Sequence, residues 1–179
     1  MKKLAALCAL LAVLLGLTLG MAAGAVISPP VYIDGAPASV GAVLDKSVDT
    51  TYVPIRAFSY AIRPGAQVSW EKGQAVVRCG DLTITAREND CYIVANGRVL
   101  YTRAKVTSMN GSIMVPVRAL AGAFDAAVEW HDATCSVSVT RGSGAILPAE
   151  KFYDADALLW LSRISSAESE GEPFLGKVA

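Results

Sequence analysis

The residue with the strongest case for chemistry in this sequence is a glutamate near its C-terminal end. Leu158, Leu161 and Ile164 follow one another at three-residue spacings. Glu168 comes four residues later, and on a helix it lies between Leu161 and Ile164, on the apolar stripe. Partial burial disfavours the charged form of a carboxyl group and raises its pKa. Because a protonated carboxylic acid can protonate the leaving oxygen of a glycosidic bond, Glu168 is predicted to be a general acid, and the alternative is a solvated acid on a fraying helix.

The helix that positions Glu168 has recognisable start and stop signals. Residues 142–145 predict a linker, and the pattern changes to helix after Pro148. Asp154 and Asp156 lie where acidic side chains favour a helix N-terminus. Gly171 then offers a stop, and Pro173 can open a second helix. That second helix has only residues 174–179, fewer than two turns, so it needs partners to be stable.

Two pairs of residues recur at matching places along the chain. Arg56 and Arg118 each follow a Val-Pro-x sequence, and Trp70 and Trp130 each end a short strand pattern. An arginine here suits either a polymer-binding charge or a structural role, in which the stem packs on a sheet and the guanidinium caps carbonyls. A tryptophan suits either stacking on sugar rings or filling the core. The equal placement favours the structural role for both pairs.

The sequence contains few side chains that could bind a metal ion. Cys79, Cys91 and Cys135 remain once the N-terminal segment is set aside, and His131 is the only histidine. The sequence has no C-x-x-C pair, so we predict no zinc or copper site and no cofactor. The three thiols are interpreted as buried small apolar side chains, and a disulfide between Cys79 and Cys91 is the alternative.

The candidate residues lie in an internal repeat with a period of about 60 residues. Both copies contain a Tyr-Ile pair followed by a turn dipeptide, then a V-P-x-R-A motif, then a strand that ends in Trp. These features lie at residues 32–35, 53–58 and 68–70 in the first copy, and at 92–97, 115–120 and 128–130 in the second. So many features in one order indicate a duplicated module.

Each copy predicts a β-β-α-β-β module, which makes the fold class α+β and mostly β. A tight turn at residues 34–35 follows the first strand, since Gly accepts positive φ. Pro54 ends the second strand and suits the first turn of a helix that buries Ile55, Phe58 and Ile62. A hairpin completes the module, and an extra strand at residues 81–86 separates the copies.

The N-terminal segment predicts export. Lys2 and Lys3 precede an apolar stretch at residues 4–19, and Ala-Gly-Ala ends at Ala25, which is the order of a cleaved secretory signal. An uncleaved anchor is the alternative. Losing two lysines from a chain with 16 basic and 16 acidic residues leaves a net charge of about −2. Nucleic acid is therefore excluded as a partner, and no stable membrane span is expected after cleavage.

The two V-P-x-R-A motifs, each followed by a strand ending in Trp, resemble the copper amine oxidase N-terminal-like module, also called a stalk domain. The resemblance covers residues 31–141. It implies a non-catalytic appendage of bacterial surface and secreted proteins. It does not imply copper, because this stretch contains a single histidine and no evident oxidase cofactor tyrosine motif.

Residues 158–179, and above all the run AESEGEPF at 167–174, resemble the opening of the SleB-type (spore-cortex-lytic) cell wall hydrolases, which cut the glycan strands of peptidoglycan. In that family the first Glu of the A-E-x-x-G-E-P motif looks like the catalytic acid, and the resemblance places this role on Glu168. The family's remaining helices and the rest of its cleft are absent from this sequence. The resemblance therefore implies a truncated lysozyme-like domain, and we expect the 179-residue chain to be inactive alone.

The predicted organisation is a signal peptide at 1–25, a duplicated stalk domain at 26–141 with repeats at about 31–86 and 91–141, a linker at 142–153 and an incomplete hydrolase domain at 154–179. One predicted function is that of an exported peptidoglycan hydrolase or lytic transglycosylase that carries a stalk. The other is that of a binding or scaffolding module. Either one works in the cell envelope on peptidoglycan or another envelope polymer, whereas a copper oxidase would rest on the family label alone.

Overall fold

The structure, a computed structural model, describes residues 27–168. The predicted signal peptide at 1–25 and the second helix at 174–179 lie outside the described residues, as do the stop and start signals at Gly171 and Pro173. The described strands are β1 Val31–Ile33, β2 Ala36–Ala38, β3 Val43–Asp45, β4 Thr50–Pro54, β5 Gln67–Glu71, β6 Gln74–Cys79, β7 Leu82–Ala86, β8 Tyr92–Ala95, β9 Arg98–Tyr101, β10 Thr107–Met109, β11 Ser112–Pro116, β12 Ala127–His131 and β13 Ser136–Thr140. The described helices are α1 Ile55–Ile62, α2 Val117–Ala123, α3 Ala149–Phe152 and α4 Ala155–Glu168, with a 3₁₀ turn at Asp132–Thr134.

The strands form three sheets, which confirms the α+β, mostly β class. Their strand orders are β12-β13-β1-β2, β10-β11-β4-β3 and β5-β6-β7-β8-β9. Each half of the domain has two more strands than predicted, because the turn at residues 34–35 leads into β2 and not into β4. Pro37 hid β2 from the sequence pattern, and β2 tolerates this proline because it is an edge strand.

The middle sheet brings the two V-P-x-R-A motifs side by side. Strands β4 and β11 pair antiparallel, with Val53 opposite Val115. Each strand ends at its proline and a helix starts at the next residue, α1 after Pro54 and α2 after Pro116. The predicted end of the strand is confirmed, although each proline precedes the helix as its N-cap and does not occupy its first turn.

The two outer sheets mix strands from both halves. In one of them β1 runs parallel to β13, the last strand of the second half. In the other, β6 and β8 are both antiparallel to β7, so they too run parallel to each other. The predicted extra strand is therefore confirmed as β7, inserted between the last hairpin of the first half and the first hairpin of the second.

The main apolar core lies between these sheets and the helices. The predicted helix stripe is confirmed, since Ile55, Phe58 and Ile62 of α1 are all buried. Phe58 packs against Phe124, with 6.4 Å between ring centroids, and both rings are fully buried. Burying side chains of this size stabilises the fold by about 1.5–3 kcal/mol each.

The predicted core role of the tryptophans is wrong for the first copy and partly wrong for the second. Trp70 is 59% exposed, and Trp130 is half-buried against the edge of the core. Trp70 lies on β5 and Trp130 on β12, both of which are edge strands. A side chain on an edge strand has a neighbouring strand on one side only, which leaves these tryptophans partly exposed. The centre of the core is filled instead by Phe58 and Phe124.

The cysteines also differ from the favoured prediction. Cys79 is buried, whereas Cys91 and Cys135 are exposed, and all three are free thiols. Cys135 has a left-handed backbone at the start of β13, which places it at the surface of a turn. The alternative of a bridge between Cys79 and Cys91 is not present.

Arg141 ties the end of β13 to the first half of the domain. Its guanidinium donates to the carbonyl oxygens of Ala61 and Ile62, at 2.8 and 2.9 Å, and so caps the end of α1. Its backbone N–H and Nη1 donate to the carboxylate of Asp34 in the β1–β2 turn, at 2.9 and 2.6 Å. These two hydrogen bonds, the backbone one first, hold the pKa of Asp34 below its ordinary value.

The segment predicted to be a linker lies against the second half of the domain. The backbone N–H of Ser143 donates to the carboxylate of Asp125 at 3.1 Å, and that of Ile146 donates to the carbonyl of Ala123 at 3.0 Å. Further on, the guanidinium of Arg98 stacks over the Phe152 ring, 3.4 Å from its centroid. The path of the chain from β13 to α3 is therefore fixed by specific contacts.

Helix α4 begins as the sequence predicts but does not bury its apolar stripe. Asp154 accepts hydrogen bonds from the backbone N–H groups of Asp156 and Ala157, at 2.8 and 3.3 Å, and so caps the helix. Every residue of α4 is exposed, including Glu168, so the predicted partial burial of this carboxyl group is wrong for the described residues. Between residues 27 and 168, no helix is long and apolar enough to cross a membrane.

Candidate functional site

A groove runs over the middle sheet and consists of two adjoining cavities. Their volumes are about 1040 and 820 Å³. We call the first the apolar compartment; its lining includes Val43, Asp45, Lys46, Val48, Tyr52, Arg103, Lys105, Met109 and Met114. We call the second the aromatic compartment; its lining includes Lys46, Asp49, Tyr101, Arg103, Arg118, Trp130 and Asp132. Leu44, Lys46 and Arg103 line both, so the compartments meet at these side chains.

The floor of the apolar compartment is a small buried cluster separate from the main core. It consists of Tyr52, Ala104 and Met114, with Val43 packed against it. The Tyr52 hydroxyl donates to the carbonyl of Lys105 at 3.0 Å, which ties the loop at residues 102–106 to β4. Burial, with a smaller contribution from the Asp45 carboxylate, raises the pKa of Tyr52. Tyr52 therefore stays a neutral donor and fixes one wall of the groove.

The loop at residues 102–106 carries two basic side chains that are exposed to solvent. The backbone N–H of Thr102 donates to the carbonyl of Cys91, and that of Val106 donates to the carbonyl of Asp90, both at 2.8 Å. Ala104 and Val106 are buried, whereas Arg103 and Lys105 are exposed. This alternation presents both basic side chains to the groove.

The β3–β4 turn forms the opposite wall. The Asp45 carboxylate accepts hydrogen bonds from the Ser47 hydroxyl at 2.6 Å and from its backbone N–H at 2.9 Å. These bonds, the hydroxyl one first, lower the pKa of Asp45. The closed turn leaves Lys46 and Val48 exposed beside the cavity.

Two aromatic rings line the aromatic compartment. The indole N–H of Trp130 donates to the carboxylate of Asp132 at 2.7 Å, so the ring plane is held. Tyr101 is 80% exposed, and its ring meets that of Tyr92 edge to face, with centroids 6.4 Å apart. Nη1 of Arg118 donates to the carbonyl of Val128 at 3.2 Å, which keeps the guanidinium at the cavity wall. Fixed rings and orienting polar groups suit binding of a ligand with flat apolar faces and hydroxyl groups.

The described residues offer little for a metal. Within residues 27–168, no group of three or more His, Cys, Asp or Glu side chains is arranged to hold a metal ion. Nε2 of His131 lies 2.9 Å from the Ser138 hydroxyl and 4.0 Å from the Glu129 carboxylate. His131 therefore has polar neighbours on its own hairpin.

Of the residues that the sequence singled out, some line the groove and others do not. Arg118 and Trp130 lie in the aromatic compartment, whereas Arg56 and Trp70 line neither compartment. Arg118 caps a carbonyl as predicted and also faces the groove. Glu168 lines neither compartment and lies at the end of α4, so its role as an acid stays a prediction.

Sequence reasoning missed several residues of the groove. They are Lys46, Asp49, Tyr52, Tyr101, Arg103, Lys105 and Asp132. Most of them lie in the loops where the two copies of the repeat differ, and a search for repeated motifs passes over such loops. The signal that remained was Tyr101, a large aromatic residue that ends a strand and is followed by a basic loop.

The fold and the groove define a mostly β domain with an open groove along its middle sheet. Comparison with protein families supplies the particular family. The family model described as copper amine oxidase N-terminal domain matches residues 32–139, from β1 to β13 and over more than half of the chain. The chain therefore belongs to this family, which confirms the first resemblance. Neither the curated proteins nor the solved structures gave a significant match.

Proposed function

We propose that this domain is a non-catalytic binding module of the cell envelope, which holds a wall polymer in its groove. The observation that carries the proposal is the aromatic compartment, where Tyr101 and Trp130 stand beside Arg118. Rigid aromatic side chains and arginine are the residue types that contribute most to binding surfaces. The groove continues into the apolar compartment, so its length suits an extended ligand.

The cellular setting of this proposal rests on the sequence. A signal peptide at residues 1–25 would export the chain and leave the domain in the envelope, next to peptidoglycan. The domain would have arisen by duplication, and the pairing of Val53 with Val115 between the two V-P-x-R-A motifs supports this origin. In this proposal the two halves supply the scaffold, and their different loops supply a single binding site.

The test is a binding assay on purified sacculi with single-residue variants. Tyr101→Ala removes an 80% exposed ring from the groove, and Tyr60→Ala removes a 44% exposed ring that lines neither compartment. We expect Tyr101→Ala to weaken co-sedimentation with sacculi about tenfold, and Tyr60→Ala to leave it unchanged. Equal binding by the wild type and both variants would remove the groove from the proposal.

A second candidate concerns the C-terminal helix, where residues 154–179 would begin a SleB-type hydrolase domain with Glu168 as its acid. The supporting observation is that α4 exposes Leu158, Leu161 and Ile164, each about half. An exposed apolar stripe on a capped helix favours packing against a further element. In this proposal the domain of residues 26–141 would hold the substrate for the enzyme.

The hydrolase candidate is tested on the gene and on sacculi. We expect the codons after Ala179 to continue a helical pattern for about 100 residues, directly or after one frameshift. The longer protein should clear a suspension of sacculi, Glu168→Gln should abolish clearing, and Glu150→Gln on α3 should not. A stop codon followed by unrelated sequence, or full clearing by Glu168→Gln, would sink this candidate and leave the binding module intact.

A further inference from the structure

We propose that the ligand of the groove is a glycan with a carboxylated aliphatic branch, bound with a sugar ring in the aromatic compartment and the branch in the apolar compartment. This inference rests on the proposed function and specifies its ligand. It follows from the different chemistry of two compartments that share one boundary.

The apolar compartment has a surface that suits an aliphatic group. Its lining includes Val43, Val48, Met109 and Met114, whose side chains offer no conventional hydrogen bond to a hydroxyl group. Met109 and Val48 are 38% and 43% exposed, so a ligand can cover apolar surface there. Covering this apolar surface favours an aliphatic group of the ligand, because its removal from water is favourable.

The boundary between the compartments is basic. Lys46 and Arg103 line both compartments, and Lys105 adds a third cation to the apolar one. Asp45 is the acidic residue of that lining, and its Oδ1 already accepts two hydrogen bonds from Ser47. The excess of positive charge complements a carboxylate on the branch, and Arg103 suits such a group because a guanidinium can hold both carboxylate oxygens.

The aromatic compartment differs in its exposed rings and suits a sugar. Trp130 and Tyr101 present flat faces, while Asp49 and Asp132 supply oxygen atoms that accept hydrogen bonds from hydroxyl groups. Its lining also includes Lys46, Arg103 and Arg118, so the two acids are balanced by cations. The orientation of the ligand is therefore set by the aromatic rings on one side and by the aliphatic side chains beside Lys105 on the other.

The experiment compares sacculi that differ only in their branches. Intact sacculi carry peptide branches with carboxylates, and treatment with an amidase removes these branches and leaves the glycan strands. We expect stripping to weaken binding of the wild-type protein about tenfold. Arg103→Gln should bind intact sacculi about threefold more weakly than the wild type and lose most of the preference for intact over stripped material. Arg56→Gln, an exposed arginine that lines neither compartment, should behave as the wild type.

Two further measurements separate this inference from the proposed function. Tyr101→Ala should weaken binding to intact and stripped sacculi alike, because it acts on the ring. A phosphate-containing wall polymer without peptide branches should not compete with intact sacculi at equal charge. If stripping leaves binding unchanged while Tyr101→Ala still weakens it, the branch inference is wrong and the proposed function stands. If neither stripping nor Tyr101→Ala changes binding, both are wrong.

Discussion

The two halves of this domain contain the same motifs, yet only one of them contributes its Arg and its Trp to the groove. Arg118 and Trp130 line the aromatic compartment, whereas the matching Arg56 and Trp70 line neither compartment. The strands and helices that carry the two pairs correspond, since each arginine follows a strand that ends in Val-Pro and each tryptophan lies in a hairpin after the helix. The difference must therefore come from what surrounds them.

The surrounding loops explain the difference. The β3–β4 turn has four residues, 46–49, and supplies Lys46 and Asp49, whereas the matching β10–β11 turn has only Asn110 and Gly111. The loop after β9 brings Arg103 and Lys105, whereas the loop after β2, residues 39–42, contains only Ser, Val, Gly and Ala. The matching strands and helices thus fix where the groove can form, and the loops that differ between the halves decide which Arg and which Trp line it.

The largest expected effect is on stability, and it tests whether both halves contribute equally to the core. Phe58 and Leu120 hold matching places on α1 and α2, and both are fully buried. Phe58→Ala and Leu120→Ala should each lower the free energy of unfolding by about 3–5 kcal/mol, because each leaves a cavity in a packed core. Urea denaturation measures this. A loss below about 1 kcal/mol for either variant would mean that one half contributes little to the shared core.

The second prediction contrasts the two tryptophans. Trp130→Ala should weaken binding to sacculi by about tenfold or more, while Trp70→Ala on the other half should bind as the wild type. Trp130 also packs on the core, so Trp130→Phe serves as a second variant that keeps a ring there. Unfolding midpoints measured on the same samples separate a binding defect from a loss of folded protein. A binding loss of the same size in Trp70→Ala would contradict the assignment of Trp130, and not Trp70, to the groove.

The third prediction concerns the chain that crosses the second half after β13. A Cβ atom at Gly142 would lie 1.9 Å from the carbonyl oxygen of Asp125, whereas at Gly122 it would meet nothing within 4 Å. Gly142→Ala should destabilise the protein by about 1–3 kcal/mol, because backbone must move to relieve the clash. Gly122→Ala, inside α2, should be neutral or stabilise by up to about 1 kcal/mol. Thermal unfolding compares the two, and equal melting temperatures would mean that residues 142–146 do not rest on α2.

The smallest expected effect is a pH-dependent change in stability. It concerns the two matching turns, one after the first strand of each half. Asp34 pairs with Arg141, whereas the matching turn contains Asn96, which has no charge to lose. Because Arg141 lowers the pKa of Asp34 from the ordinary value of 3.8, its stabilising effect is complete above that value and is lost as the pH falls through the lowered one. Asp34→Asn should be less stable than the wild type at a pH of about 6, and this difference should shrink at a pH of about 3. Urea midpoints at the two pH values test this, and a constant difference would show that the ionised carboxylate contributes nothing.

Much of the fold was readable from the sequence because local rules determine it. The prolines at 54 and 116 marked where strands end and helices begin, and the 3.6-residue period identified the buried face of α1. The capping role of Asp154 followed from its place before an apolar run. The short strands β2, β3, β9 and β10 were missed, because three or four residues are too few to show a clear period.

The groove was less predictable, because its residues are far apart along the chain. Asp45 and Lys105 line one cavity although about 60 residues separate them, and only the pairing of β4 with β11 brings their loops together. The sequence pattern also placed Trp70 in the core, since an alternating strand does not reveal that it will lie at a sheet edge. The same limitation applies to Glu168. Its position on the helical wheel places it on the apolar side of α4, but the sequence does not show whether another element covers that side.

The sequence by itself determined the repeat, the strand and helix starts set by proline and aspartate, and the membership of a mostly β class. These features depend on the backbone limits of single residues and on periods of two or 3.6 residues, which need no tertiary contacts. The tertiary structure decided that the outer sheets exchange strands between the halves, that Trp70 faces water, and that loops from both halves enclose a groove beside Arg118 and Trp130. These outcomes depend on contacts between segments that are far apart along the chain. The burial of a side chain and the charge around it are set by the neighbours that folding brings to it, and not by the residue alone.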